Sequence, residues 1–256
     1  MSALLEGRAA LILGVANRWS LAYAIAQAFR REGANLILTY QGARQRQTVE
    51  ELGAELGNAR VLACDVTSEQ ELESLAGALG EGGARLHAVV HSIAFANRED
   101  LNRPFVETSR AGYLLAQDVS SYSLVSVARA AAPLMTEGGA ITTLTYVGST
   151  RVVPNYNVMG VAKAALEASV RYLANDLGPR KIRVNAISAG PVKTASARAV
   201  KDFSKMLDGV AERAPLRRNT DPAEVADAAV FLASDLGRGV TGNILFVDAG
   251  LQIMGL

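Results

Sequence analysis

Short apolar segments alternate with helical patterns along the whole chain, and this alternation constrains the fold more than any other feature. The apolar segments are rich in Val, Ile and Leu and have little polar alternation, which is typical of strands covered on both faces. The predicted strands span residues 9–14, 35–40, 60–66, 87–92, 140–146, 183–188 and 243–248. Strands separated by helices indicate a parallel sheet. We therefore predict an α/β fold, a doubly wound parallel seven-stranded sheet with helices on both faces.

Helix signals fill the segments between the strands. Ser20 is predicted to cap a first helix that ends near Gly33. Ser68 with Glu71 three residues on matches a capping box. Longer helices are predicted over 109–132, 155–177 and 222–233.

No linker or repeat interrupts this pattern in the 256 residues, so we predict one domain over 1–256. The most irregular stretch is 189–221, and long irregular segments in compact domains often form lids or binding loops. Within it, Ala197, Val200, Phe203 and Met206 form an apolar helical stripe suited to covering a ligand, although any packed helix shows such a stripe.

Composition and charge limit the function. The formal charge of +1 gives no overall attraction to nucleic acid or to anionic membranes. One cysteine and two histidines predict neither a disulfide nor a metal site. The chain has no signal-peptide pattern and no apolar run of about 18 residues, so we predict a cytoplasmic protein without membrane insertion.

The first strand is followed by "GVANRWSLAYAIA", in which Gly14 is the one glycine left of the usual dinucleotide fingerprint. A structural strand-to-helix turn and a cofactor loop remain about equally good interpretations of this segment alone. Its position favours the cofactor, because a helix N-terminus after a first strand is an anion site, to which the Ser20 hydroxyl could contribute.

The tip of the second predicted strand carries Gln41, where a carboxylate would bind an adenosine ribose diol and repel a 2′-phosphate. An amide can hydrogen-bond the diol without that repulsion, so we predict NADH rather than NADPH. Arg44 and Arg46 could instead serve a 2′-phosphate, although solvated residues at a helix start are the simpler interpretation. Asp65 could accept a hydrogen bond from the adenine amino group of the dinucleotide, or it could serve only as a helix cap.

Several motifs together identify the family that the chain resembles. They are "GVANRWSLAYAIA", "CDV" at 64–66, "HSIAFA" at 91–96, "TLTYVG" at 143–148, "YNVMGVAKAALEASVRYLA" and "RVNAISAGPVKT". The chain resembles the enoyl-acyl carrier protein reductases, a divergent branch of the Rossmann-like short-chain dehydrogenase/reductase superfamily. It departs from the wider superfamily in having Met159 four residues before Lys163, and Thr143 where a Ser typically orients a ketone.

The resemblance implies a set of site residues and a partner. The implied dinucleotide contacts are Gly14, Ser20, Leu21, Gln41, Asp65, Val66, Ile93, Lys163 and the run Val192 to Ser196, which includes Thr194. The implied catalytic group is Tyr146, Tyr156 and Lys163, with Ala96 beside the acyl substrate and 194–207 as the substrate-binding lid. The backbone of Ser92 is a further cofactor candidate, and His91 reads better as a hydrogen-bonded core histidine than as a base. Lys201 and Lys205 could meet an acidic acyl carrier protein, or could simply be solvated.

Tyr156 and Lys163 are seven residues apart, whereas many nicotinamide-dependent reductases use a spacing of four. In a regular helix, seven residues advance about 700°, so the two residues would share a face with backbone positions roughly 10 Å apart, against roughly 6 Å for the shorter spacing. The weaker influence of a more distant ammonium predicts that Tyr156 stays protonated near neutral pH. Tyr146 is expected to line the acyl pocket or to relay a proton.

The stretched pair suits conjugate reduction, in which hydride reaches C3 of an enoyl thioester while negative charge develops on the C1 oxygen. We therefore expect NADH-dependent reduction of the C2–C3 double bond of trans-2-enoyl-acyl carrier protein, the last step of the fatty-acid elongation cycle. Tyr156 would stabilise the enolate and Lys163 would position the cofactor. A carbonyl reductase and a dinucleotide-binding regulator without turnover are the alternatives. Related folds usually associate through long helices such as 109–132 and 155–177, so the resemblance also implies a homotetramer.

Overall fold

The computed structural model describes residues 3–83, 85–194 and 203–255. Its strands form one seven-stranded sheet in the order β3-β2-β1-β4-β5-β6-β7, and every neighbouring pair is parallel. The strands are β1 (Ala9–Leu13), β2 (Asn35–Tyr40), β3 (Arg60–Ala63), β4 (Leu86–His91), β5 (Gly139–Thr145), β6 (Ile182–Ala189) and β7 (Ile244–Val247). The predicted seven-stranded parallel sheet is confirmed.

Helices cover both faces of this sheet. Those in the described residues are α1 (Leu21–Arg31), α2 (Gly42–Glu55), α3 (Glu69–Glu81), α4 (Arg98–Asn102), α5 (Arg110–Gln117), α6 (Ser123–Ala131), α7 (Asn157–Leu177), α8 (Phe203–Arg213) and α9 (Pro222–Ala233). None of them combines the length and the apolar character needed to cross a membrane.

The strands have apolar residues at nearly every position because alternate side chains pack into two different hydrophobic cores, one on each face of the sheet. Ile12 of β1 lies in a core shared with α1, α2 and α9, whereas its neighbour Leu13 lies in a core shared with α3, α6 and α7. Both side chains are fully buried. Successive strand residues point to opposite faces, so a strand with helices on both sides needs an apolar residue at nearly every position.

Helix caps follow the sequence with one difference. Ser20 caps α1 by accepting from the Tyr23 N–H, and Ser68 caps α3 by accepting from the Glu71 N–H. The reciprocal half of the predicted capping box at Ser68 is wrong, because the Glu71 carboxylate accepts instead from the backbone N–H of Asp65 at 2.7 Å. Glu71 thereby ties the chain leaving β3 to the start of α3.

The helix predicted over 109–132 is interrupted by a π-helical turn at Asp118–Tyr122, between α5 and α6. The backbone N–H of Ser123 reaches back five residues to the carbonyl of Asp118. Such turns insert one residue into a helix and are frequent at functional sites. Here the turn faces α7 and the loop after β4.

The crevice of the sheet lies where the strand order reverses, between β1 and β4. Gly14 follows β1 with a φ of +95°, and a Cβ placed there would lie 2.1 Å from the carbonyl oxygen of Ser92, which follows β4. The segments that follow β1 and β4 therefore leave the sheet in backbone contact. Only glycine at position 14 permits this approach, because any side chain would collide with the Ser92 carbonyl. Ligands of doubly wound sheets bind outside the carboxyl ends of the strands at such a switch point.

Candidate active site

An apolar cavity of about 360 Å³ opens at the carboxyl edge of β5 and β6. It is walled by three chain segments, the loop after β4, the region between β5 and α7, and the loop after β6, together with Leu21 of α1 and Met206 of α8. The lining residues are Leu21, Ala94, Phe95, Ala96, Leu101, Thr145, Tyr146, Val153, Tyr156, Met159, Ala189, Gly190, Pro191, Val192, Thr194 and Met206. Its size and apolar walls suit a small organic ligand with an aliphatic part.

Two tyrosines lie side by side on this wall. The rings of Tyr146 and Tyr156 meet edge to face, with centroids 5.1 Å apart and planes at 73°. Burial raises the pKa of Tyr146 to about 12, with a further contribution from the charge of Asp248. Burial also raises the pKa of Tyr156 well above its ordinary value, and Tyr146 and Glu167 add to the effect. Both phenols are therefore protonated at neutral pH and available as hydrogen-bond donors.

Tyr156 lies outside α7, so the premise that it shares a regular helix with Lys163 is wrong. It is the N-cap of that helix, and the next residue, Asn157, has a φ of +35°. The Asn157 side chain donates to the carbonyls of Leu101 and Arg103, which stabilises this left-handed backbone. The aromatic ring of Tyr156 packs on Gly148, where a Cβ would lie 2.5 Å from a ring carbon.

Lys163 is buried on α7, behind the cavity wall. Its Nζ donates to the carbonyl oxygen of Leu144, near the end of β5, at 2.8 Å. Burial lowers the pKa of Lys163 to about 8, and the negative charge of Glu167 opposes this effect. Met159, one turn before Lys163, lines the cavity where many reductases have the tyrosine, so an apolar contact replaces a phenol at that position.

His91 is a buried core histidine, as predicted. Its Nε2 lies 2.8 Å from the Ser123 hydroxyl, and its Nδ1 lies 2.9 Å from the Thr143 hydroxyl. Burial lowers the pKa of His91 to about 3, with the charge of Lys163 acting in the same direction. The ring is neutral, and Thr143 is fully buried and bonded to it, away from the residues that line the cavity.

Ser120, on the π-turn, holds the cavity wall and was missed by the sequence interpretation. Its hydroxyl accepts from the N–H of Phe95 at 2.8 Å and donates to the carbonyl of the same residue at 2.9 Å. Phe95 and its two neighbours, Ala94 and Ala96, line the cavity. A serine of the π-turn thus positions a loop that has no regular secondary structure.

Several predicted cofactor residues meet along the crevice. Ser20 donates to the carbonyl of Asn17 at 2.7 Å and caps α1, so its hydroxyl orders the turn after Gly14. At the outer end, Gln41 Nε2 donates to Asp65 Oδ2 at 2.9 Å. Burial opposes ionisation of Asp65, but hydrogen bonds from Gln41 and Thr67 outweigh it and lower its pKa. The bond to Asp65 uses the amide N–H of Gln41 and leaves its carbonyl oxygen as an acceptor.

The remaining predicted cofactor and lid residues line the cavity, pack into the core beside it, or lie outside the described residues. Val192 and Thr194 line the cavity with Leu21, Val66 is buried beside the crevice, and Ile93 is partly buried against the core under α3 and α6. Ser196 and most of the predicted lid, including Ala197, Val200 and Lys201, lie outside the described residues. The described part of the lid begins α8, where Leu207 is buried.

Metal and thiol chemistry find no support in the described part of the chain. No group of three or more His, Cys, Asp or Glu side chains there could hold a metal ion. Cys64 is buried, and burial raises the pKa of its thiol to about 12, so it is protonated and unreactive at neutral pH.

The sheet order, the glycine-lined crevice and the adjoining cavity define a class, the doubly wound dinucleotide-binding proteins. A family model described as enoyl-(acyl carrier protein) reductase matches residues 14–252. The chain is 55% identical over 254 residues to the NADH-dependent enoyl-[acyl-carrier-protein] reductase FabI of Bacillus cereus, covering 98% of this chain and 99% of that protein. It is 50% identical over 250 residues to the NADPH-dependent FabI of Staphylococcus aureus, covering 97% of this chain and 98% of that protein.

Solved structures give the same assignment. A crystal structure of the Bacillus cereus enoyl-acyl carrier protein reductase with NADP⁺ and indole naphthyridinone superposes with a TM-score of 0.97 at 55% identity, over 99% of each chain. The chain therefore belongs to the enoyl-(acyl carrier protein) reductase family.

Proposed function

We propose that this chain reduces the C2–C3 double bond of trans-2-enoyl-acyl carrier protein with NADH, the last step of the fatty-acid elongation cycle. One observation carries the proposal: two partly buried, protonated phenols, Tyr146 and Tyr156, face an apolar cavity beside the crevice of the sheet. A phenol donor in an apolar cavity suits a thioester whose oxygen becomes negative during reduction. Membership of the family supports the same reaction.

The crevice has the chemistry that a dinucleotide needs. Gly14 leaves no side chain between the first turn and the chain after β4. The turn leads to the N-terminus of α1, which Ser20 caps, and a helix N-terminus favours anions. We assign the pyrophosphate to this turn and the adenosine ribose diol to the carbonyl oxygen of Gln41. Val66, Ser92, Ile93, Val192, Thr194 and Ser196 complete the proposed binding residues, and Asp65 is assigned to the adenine end.

In the proposed mechanism, the substrate carbon that accepts the hydride and the substrate oxygen that becomes negative are different atoms, and different residues serve them. When bound, NADH supplies the hydride that is added to C3. Tyr156 donates a hydrogen bond to the C1 oxygen, where the negative charge develops, and Lys163 holds the nicotinamide ribose hydroxyls. The enolate then takes up a solvent proton at C2, which completes the reduction. Tyr146 lines the acyl pocket, with its ring packed edge to face with that of Tyr156, and Ala96 contacts the substrate. The partial burial of Tyr156 limits the competition of water for its phenol.

The partner and assembly are part of the proposal. Acyl carrier protein presents the enoyl group, and residues 194–207 cover it as a lid within a single domain, 1–256. The long helices supply a surface for a homotetramer, because Leu114 on α5, Tyr122 beside α6 and Tyr172 on α7 are large apolar side chains exposed in one chain. A cytoplasmic location stays a prediction from the sequence.

An assay of NADH absorbance tests the proposed reaction. Purified protein is mixed with NADH and crotonyl thioester and, separately, with NADH and acetoacetyl thioester. Consumption with crotonyl thioester alone is expected. Consumption with acetoacetyl thioester alone would indicate carbonyl reduction, and consumption with neither would indicate a regulator without turnover.

A further inference from the structure

Glu167 is a buried carboxylate that the proposed mechanism does not use. It lies on α7 one turn after Lys163 and is 7% exposed. Its Oε1 accepts a hydrogen bond from the Thr145 hydroxyl at 2.7 Å. Removing a carboxylate from water costs several kcal/mol unless charges and hydrogen bonds compensate, so its position calls for a specific reason.

Glu167 and Lys163 reach consecutive residues of the same strand end. Lys163 donates to the carbonyl of Leu144, and Glu167 accepts from the hydroxyl of Thr145. The next residue is Tyr146, whose ring packs on Tyr156. Two opposite charges one helical turn apart therefore fix the end of β5 that leads into the phenol pair.

We propose that Glu167 is a positioning residue, which keeps buried Lys163 charged and anchors the end of β5 through Thr145. The inference rests on the proposed function, in which Lys163 holds the dinucleotide.

The groups around Lys163 support this role. His91, from β4, is neutral at physiological pH, and the phenols of Tyr146 and Tyr156 are protonated. Asp248, after β7, acts on Tyr146 and accepts from the N–H groups of residues 250 and 252. Among these groups, Glu167 is the charge that raises the pKa of Lys163 against the lowering effect of burial.

The protonation state of Lys163 is expected to make NADH binding depend on pH. Charged Lys163 binds the dinucleotide better in the proposed mechanism, so NADH affinity falls as the pH rises through the pKa of the free protein, about 8. Removing the charge of Glu167 lowers that pKa, and the fall begins at lower pH.

The test measures the NADH dissociation constant by fluorescence between pH 6 and pH 10 for the wild type and for Glu167→Gln. Gln keeps an acceptor for Thr145 and removes the charge. We expect the midpoint of the fall in affinity to move down by about one pH unit, the order expected for a unit charge one turn away. Asp176→Asn, at an exposed position of the same helix, is the matched control and should leave the midpoint in place.

Two further measurements keep the inference open to refutation. Glu167→Asp retains the charge and should keep the wild-type midpoint even where its shorter reach weakens the bond to Thr145. An unmoved midpoint in Glu167→Gln, or a wild type whose NADH affinity does not fall between pH 7 and pH 10, would overturn the inference. Failure of the wild type to oxidise NADH with crotonyl thioester would instead overturn the proposed function, so the two failures are distinguishable.

Discussion

The rings of Tyr146 and Tyr156 meet edge to face in the wall of the cavity, with centroids 5.1 Å apart. Tyr146 immediately follows β5, whereas Tyr156 stands immediately before α7, so the ends of two elements each place one phenol in a single contact. Edge-to-face pairs of this kind stabilise by about 0.5–1.5 kcal/mol beyond their buried area. The contact gives Tyr156 a fixed place although it lies outside the helix.

The first prediction separates a packing role of Tyr146 from a chemical one. Its hydroxyl contacts the sulfur of Met206 at 3.9 Å, a weak interaction, so the ring is expected to matter more than the hydroxyl. Tyr146→Phe should keep kcat with crotonyl thioester within about threefold, because the edge contact remains. Tyr146→Ala should lower kcat far more. A loss of tenfold or greater in Tyr146→Phe would indicate proton relay instead.

The second prediction concerns the π-turn. Ser120→Ala removes both hydrogen bonds to the backbone of Phe95, which costs about 1–3 kcal/mol where the groups stay buried and unpaired. Because a small misplacement of the cavity wall slows a positioned reaction, kcat/KM for the enoyl substrate should fall about tenfold. Steady-state kinetics and thermal melting measure the two effects.

Ser121→Ala is the matched control for Ser120. Ser121 is the adjacent buried serine of the same turn and contributes no bond to the Phe95 backbone. If Ser121→Ala lowers kcat/KM as much as Ser120→Ala, the loss comes from disturbing the turn rather than from releasing the wall.

The third prediction concerns the choice of NADH over NADPH. The Gln41 amide is oriented by Asp65, and its carbonyl oxygen is available to a ribose diol. Gln41→Ala should lower kcat/KM with NADH about two- to tenfold, the worth of one net hydrogen bond. Arg46 pairs with Glu50 at 2.7 Å, so Arg46→Ala should leave NADH kinetics unchanged. A wild type that prefers NADPH would contradict the assignment of Gln41.

The fourth prediction concerns assembly. A homotetramer should sediment at four times the mass of one chain. Introducing charge on the exposed apolar positions of α5 and α7, as Leu114→Glu with Tyr172→Glu, should lower that mass. Leu236→Glu, also at an exposed apolar position but beside α9, is the control. A wild type that sediments as a monomer would refute the proposed assembly.

The sheet could be predicted because burial on both faces leaves a direct trace in the sequence. Every predicted strand was found, since runs such as "NLILTY" have no room for polar residues when two cores share them. The caps Ser20 and Ser68 were predicted because their side-chain bonds are local. Gln41 and Asp65 were predicted at the ends of neighbouring strands, but the hydrogen bond between their side chains was not predicted.

The π-turn, the position of Tyr156 before α7 and the burial of Glu167 could not be predicted. No local sequence pattern indicates them. The π-turn at Asp118–Tyr122 carries no glycine or proline, so 109–132 reads as one helix. Tyr156 was placed inside a helix because the left-handed Asn157 is stabilised by carbonyls more than fifty residues away. Glu167 reads as a solvated residue of a helix until its burial against Thr145 is known.

The central claim is that Tyr156 stabilises charge while Lys163 holds the dinucleotide, and a paired measurement of kcat and NADH affinity tests it most directly. Tyr156→Phe should lower kcat with crotonyl thioester about 10²–10³-fold, the cost of one oxyanion donor, and keep the NADH dissociation constant within about threefold. Lys163→Met should weaken NADH binding at pH 7. Wild-type turnover in Tyr156→Phe would contradict the account.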